Sequence, residues 1–204
     1  MTQTLIDPRM FDTSQALGAH DASSLTNVPA GLTLVQHQSI TTDTATMDFT
    51  DMSAQMHFLQ VWNLKCAAAG TPSLQFLAST DNGSTFLSGT NYAYARESIG
   101  SSSGSHGTGN SNGTSNMQLS GTGGFTQDYG GSHLQMWINR DSQGSTEATV
   151  SWILNHRGAS EIAIHGTGSG TVYSLSSNDV DAIRIQFSTG NIAEAEASLF
   201  SVAT

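Results

Sequence analysis

Seven histidines, at positions 20, 37, 57, 106, 133, 156 and 165, are the side chains best suited to metal or general-base chemistry. None stands in an H-x-H or H-E-x-x-H spacing, and none combines with the single cysteine, Cys66, into a Cys/His ligand set. A serine nucleophile has no G-x-S-x-G elbow to sit on. In a chain so rich in Ser and Asp, the bare presence of Ser, His and Asp carries no information. Glycoside hydrolysis needs two carboxylates about 5–10 Å apart. Asp43, Asp48, Asp51, Asp81, Asp128, Asp141, Glu147 and Glu161 fall mostly in expected turns or on exposed strand faces, where solvation accounts for them. The Gly-x-Gly runs within 104–109 and 166–170 lack a P-loop lysine and a strand-to-helix context. The expectation is a non-enzymatic protein, with no catalytic residue, no metal ligand and no cofactor.

The elements that hold these residues read as strands. Leu74, Phe76 and Ala78 alternate with Ser73, Gln75 and Ser79, the period of a half-buried strand. Asp81-Asn82-Gly83 supplies a turn, because Asn and Asp tolerate the left-handed region and Gly enters it without steric cost. Phe86, Tyr92 and Tyr94 would carry the return strand of a hairpin spanning 73–95. The turn Ser79-x-Asp81-x-Gly83-x-Thr85-Phe86 resembles the Asp box of sialidases over eight residues. In that family the box ties hairpins and lies away from the catalytic centre. The resemblance therefore implies a structural turn carried by Asp81, Gly83 and Thr85, closed by side-chain-to-backbone hydrogen bonds. A chain of 204 residues is too short for a six-bladed propeller, and no arginine triad accompanies the box.

Composition narrows the partners. Charged residues are 11% of the chain, so most of the surface is uncharged polar. Lys65 is the only lysine, the arginines are 9, 96, 140, 157 and 184, and the net charge is −10. Nucleic acid is not an expected partner, because phosphate affinity needs clustered Lys and Arg. No apolar run reaches the roughly 20 residues of a membrane span. The first residues, MTQTLIDPRMFD, have no basic and apolar stretch of a secretory signal, so assembly in a cytoplasm is expected. Cys66, beside Val61, Trp62 and Leu64, reads as a small core residue.

Residues 1–31 differ from the rest. Leu5, Ile6, Met10, Phe11 and Leu17 are isolated apolar anchors with no sustained period, as expected of an extended arm laid along a partner. Asp21-Ala22-Ser23-Ser24-Leu25-Thr26-Asn27-Val28-Pro29-Ala30-Gly31 resembles the D-x-S-x-L-T-N-L-P-A-G linker of tail fibres and related virion proteins of tailed bacteriophages, with Val28 in place of Leu. The resemblance implies attachment to other virion proteins through residues 1–31, a β-rich terminal domain and a homotrimer.

From residue 32 to 204, alternating segments punctuated by turns predict about ten strands. The fold class expected is all-β: an antiparallel β-sandwich, jelly-roll-like, preceded by the extended N-terminal arm. Within it, Met56–Cys66 reads as a central strand, with Phe58, Gln60, Trp62 and Leu64 on one face. Met136 and Ile138 oppose Trp137 and Asn139. Ala148, Val150, Trp152 and Leu154 share a face. Residues 100–131, rich in Gly and Ser, read as a long loop region around one short strand at Met117 and Leu119. Long loops in compact domains are either functional or flexible. The functional reading makes this one a receptor contact through Phe125, Tyr129, Asn110 and Asn112, whose flat rings and amides suit a host surface glycan or protein. The whole implies a virion structural protein, a tail-fibre component for host adhesion. Alternatives are a capsid decoration protein or head fibre anchored by its arm, and a small glycan hydrolase on the same scaffold.

Overall fold

A computed structural model describes residues 31–68, 70–101, 106–121, 124–125, 131–140, 147–158, 163–173 and 179–203. The arm anchors Leu5, Ile6, Met10, Phe11 and Leu17 and the contact candidate Tyr129 lie outside them. The described residues form an all-β protein of two antiparallel sheets. Twelve strands follow in chain order: β1 (Leu32–Ile40), β2 (Thr46–Phe49), β3 (Met56–Cys66), β4 (Leu74–Ser79), β5 (Tyr92–Gly100), β6 (His106–Thr114), β7 (Met117–Gln118), β8 (Ser132–Arg140), β9 (Ala148–Arg157), β10 (Ala163–Val172), β11 (Ala182–Phe187) and β12 (Ile192–Val202).

The narrow sheet runs β2-β11-β4-β7, and the broad sheet runs β1-β12-β3-β8-β9-β10-β5-β6. Its first four strands face the narrow sheet's four in the wiring of a jelly roll. Two hairpins, β5–β6 and β9–β10, are inserted into that wiring. They widen the broad sheet beyond β8.

The core lies between the layers. Met47, Phe49, Phe76 and Ile185 from the narrow sheet meet Leu59, Leu134, Met136 and Leu199 from the broad one, all fully buried. Each such side chain contributes about 1.5–3 kcal/mol through removal from water. Trp152 on β9 also points inward, and its indole N–H donates to the Leu119 carbonyl at 3.0 Å. Room for its ring comes from β10, where Gly166, Gly168 and Gly170 occupy inward positions. A Cβ at Gly168 would lie 2.2 Å from the indole, and one at Gly170 2.7 Å from the Met117 sulfur. The glycine run at 166–170 is thus explained by packing.

Two expectations are corrected. Residues 73–95 are not a hairpin: β4 belongs to the narrow sheet and β5 to the broad one. The turn forms, but the chain then crosses between layers. A single backbone bond, from Leu87 N–H to the Ala78 carbonyl at 2.8 Å, is all that survives of the expected return. The crossing is pinned by Tyr92, whose buried hydroxyl accepts from Ala78 N–H at 2.9 Å and donates to the Leu87 carbonyl at 3.1 Å.

Within the expected loop region the short strand at Met117 is found as β7, but residues 106–114 are a strand as well. β6 is a nine-residue strand, HGTGNSNGT, paired with β5 along its length. It shows no hydrophobic alternation because its inward side meets Arg96 rather than the core. Gly109 stands opposite Arg96, and a Cβ there would lie 2.8 Å from the guanidinium.

Candidate functional site

The outer face of the broad sheet is built by simple alternation. Inward Leu134, Met136 and Ile138 on β8 leave His133, Gln135, Trp137 and Asn139 outward. Inward Val150, Trp152 and Leu154 on β9 leave Thr149, Ser151 and Ile153 outward. On β3 a bulge interrupts the period at Trp62-Asn63, where Asn63 takes a positive φ of 52°. The bulge keeps Phe58, Gln60 and Trp62 outward yet returns Leu64 and Cys66 to the core. Leu64, expected beside Trp62, is therefore on the opposite face.

Register then places one row across the whole sheet. From β1 to β8 it reads Leu34, Phe200, Phe58, Trp137. From β9 to β6 it continues Ser151, Ser169, Ala95, Asn110. The first half is an aromatic shelf: Phe58 and Trp137 ring centres lie 4.6 Å apart, and Phe58 and Phe200 6.3 Å apart. Beside it Trp62 stacks on His133 at 3.8 Å, nearly parallel. Trp62 and Trp137 are 50% and 44% exposed, which is unusual for side chains of that size.

The second half is a floor of small residues, and it forms a groove of about 700 Å³. Met56, Trp137 and Asn139 make one wall, Ser111 and Asn112 the other. Ala93, Ala95, Thr149, Ser151, Ser169 and Thr171 lie between them. Among the described residues none of the lining carries a charge, and these residues offer no carboxylate, imidazole, amine or thiol. Asn112 accepts from the Tyr173 hydroxyl at 3.0 Å, leaving its amide N–H groups as donors. A second depression continues down the same strands, sharing Ala95 and Ser169 and bounded by Thr108, Asn110 and Thr167, with Arg96 and Glu97 also in its lining.

The four contact candidates separate. Asn112 lines the groove and Asn110 the depression beside it, both on outward positions of β6. Phe125 is corrected: it is buried, stacked on His156 at 4.5 Å and edge-on to Phe187 at 4.9 Å. It plugs the core and is not available to a receptor. Trp62, Phe58, Trp137 and Phe200 were not among the sequence candidates. Their signal was an aromatic residue on the polar side of an otherwise regular alternation.

The turn residues are found together. Asp81 accepts from the Thr85 hydroxyl at 2.6 Å, the Thr85 N–H at 2.8 Å and the Ser79 hydroxyl at 2.7 Å. The Thr85 hydroxyl, first among these donors, holds the Asp81 carboxyl down at about 2. Gly83 has a φ of 82°, which requires glycine at little cost. Next to it, Asn82 joins Asp51 and Asp181 through hydrogen bonds of 2.8–3.0 Å.

No protein-family model matches the chain, and comparison with curated proteins and with solved structures returns no match.

Elsewhere several ionisable groups are tied into the fold. Among the described residues no three of His, Cys, Asp and Glu are grouped to hold a metal ion. Asp48 pairs with Arg184, Glu97 with His106, Glu196 with His37 and Asp179 with Arg140. His57 and His156 point inward; among the described residues the ring nitrogens of His57 find no hydrogen-bond partner, and His156 meets the backbone of Gly124. Burial lowers both imidazoles to about 4, so they are neutral at neutral pH.

Proposed function

We propose that the chain is a non-enzymatic structural protein of a tailed-phage virion, a tail-fibre component whose β-sandwich is displayed for adhesion to the host surface. Residues 1–31 attach it to other virion proteins, and the assembled molecule is a homotrimer. The observation that supports adhesion best is the outer face of the broad sheet. It combines exposed aromatic rings with a groove whose described lining holds no carboxylate, imidazole, amine or thiol. Such a surface can hold a ligand through ring stacking and hydrogen bonds. The virion context rests on the resemblance of residues 21–31 to phage fibre linkers. The jelly-roll wiring suits either a capsid or a lectin-like role and does not choose between them.

Two measurements test this reading. Antibody to the sandwich should label the tail of intact particles. Label on the head would replace the fibre reading with a decoration protein or head fibre, and absence of label from particles would end the virion reading. Light scattering should give three chains for both the full-length protein and one lacking residues 1–31. A monomer in both would contradict a trimer held by the sandwich. Turnover of a host polysaccharide, lost on changing one carboxylate to its amide, would favour the hydrolase alternative.

A further inference from the structure

Resting on the adhesive reading, we infer that the groove on the broad sheet binds an uncharged, linear glycan lying along β10 with one ring stacked on Trp137.

Three observations carry this. The first is the pairing of groups. Trp137 offers a flat face to the C–H side of a sugar ring, while Asn112, Asn139, Ser151, Ser169 and Thr171 offer amides and hydroxyls to its O–H groups. An aromatic wall over a hydroxylated floor has both chemistries that a polyol presents. A purely apolar partner would leave these donors and acceptors buried without partners.

The second is charge. The described lining of the groove beside Trp137 carries no charge. In the adjoining depression Arg96 is hydrogen-bonded to Gln118 and Glu97 is paired with His106. In a chain of net charge −10, an anionic polymer thus meets a repulsive field on approach and only a cation already engaged. Sulfated, phosphorylated or uronic-acid chains are therefore disfavoured against neutral ones. A cationic peptide would find one carboxylate among the described lining residues, Glu97, and that is already paired with His106.

The third is shape. The outward residues Thr171, Ser169, Thr167 and His165 follow one another along β10, with Ala93, Ala95 and Glu97 beside them on β5. From Thr171 to His165 the strand rises about 20 Å. The first groove runs into the second depression through Ala95 and Ser169. The trough thus lengthens along the strands, a form suited to an extended chain rather than to a single compact molecule. Small outward residues at Ala93, Ala95 and Ser169 keep its floor low.

The test uses the full-length chain and a panel of named probes: soluble neutral α-glucan, β-glucan, mannan and galactan oligosaccharides, with polygalacturonate as the anionic control. Binding is read by tryptophan fluorescence and calorimetry. At least one neutral probe should bind, the anionic control should not, and Trp137→Ala should weaken binding roughly tenfold or more. Ser169→Tyr, at an exposed floor position, should abolish binding by filling the trough and leave the melting temperature unchanged. Binding of polygalacturonate alone, unchanged affinity in both variants, or no binding by any neutral probe would overturn the inference. Loss of self-association in Trp137→Ala, without any glycan binding, would also overturn it and assign the face to a second copy. Failure here and failure of the virion reading are separable: antibody labelling of particles with no glycan bound sinks only the ligand, whereas glycan binding with no labelling sinks only the virion context.

Discussion

The two outer faces of the sandwich are built from the same alternation and end in opposite states. On the narrow sheet, outward side chains satisfy one another. Arg184 holds Asp48 through two hydrogen bonds of 2.7 and 2.6 Å, and Gln186 donates to Gln75 at 3.1 Å. The Arg184 guanidinium also lies 4.0 Å over the Phe86 ring. On the broad sheet His37 pairs with Glu196 and His106 with Glu97, but around the groove the outward positions carry aromatic rings and short hydroxyls that face solvent. A face that closes its own polar network gains little by meeting a partner, because existing hydrogen bonds would have to be exchanged. A face that leaves rings and donors open gains the full contact.

The largest test of that difference sets two tryptophans against each other. Trp152 and Trp137 sit on neighbouring strands one register position apart, the first inward and 3% exposed, the second outward. Trp152→Ala should cost about 3–5 kcal/mol, because it empties the space cleared by Gly168 and leaves the Leu119 carbonyl unpaired. Trp137→Ala should cost under about 1 kcal/mol. Urea denaturation of both variants gives the comparison, and equal losses would mean that Trp137 serves the fold rather than a ligand.

Acid should separate the inner faces in the same way. His57 and His156 both point inward from the broad sheet and are held neutral, with folded values near 4. The unfolded chain binds protons at these sites from about pH 6.5 downward, and the folded chain does not until about pH 4. Stability should therefore fall as pH drops through that window, by up to about 3 kcal/mol per histidine. Phe125 stacks on His156, so His156→Phe retains a flat apolar ring against it and removes one titrating group. The variant should lose less stability than wild type between pH 6.5 and 4 in thermal melts. Identical pH profiles would exclude His156 as a source of acid sensitivity.

A smaller effect belongs to Gly168. Adding a methyl group in Gly168→Ala drives it into the indole of Trp152. The cost should be about 1–3 kcal/mol. Differential scanning calorimetry would show it as a lowered melting temperature, and it should vanish when Trp152 is already alanine. A cost that persists in the double variant would place the strain elsewhere.

The fold was legible where burial follows a period. Leu74-Phe76-Ala78 and Ala148–Leu154 could be assigned by alternation. It failed at β6, where a strand of Gly, Ser, Thr and Asn has no apolar face to announce it and is fixed by pairing with β5. Layer membership also failed at 73–95, because a turn signal specifies a reversal but not which sheet receives the chain. The site was half legible. Asn110 and Asn112 were chosen for their chemistry, and pairing places them at the groove. Phe125 was chosen for its ring, and nothing local told that its ring closes the core. Trp137 and Trp62 were visible as aromatics out of phase, yet their convergence depends on strand order and on the Trp62-Asn63 bulge.

The smallest effect sharpens the other side of the comparison. Asp48→Asn removes the charge that Arg184 faces and keeps the shape. Both partners are about one-third exposed, so water screens much of the loss. Arg184 also keeps its contact with Phe86. The expected cost is about 0.5–1 kcal/mol, falling toward zero in molar salt. Glycan binding should not change at all, because the narrow sheet's network is on the opposite side of the core from the groove. If Asp48→Asn altered ligand affinity as strongly as Trp137→Ala, the two faces would be energetically coupled through the core. The division between a face that stabilises and a face that binds would then not hold.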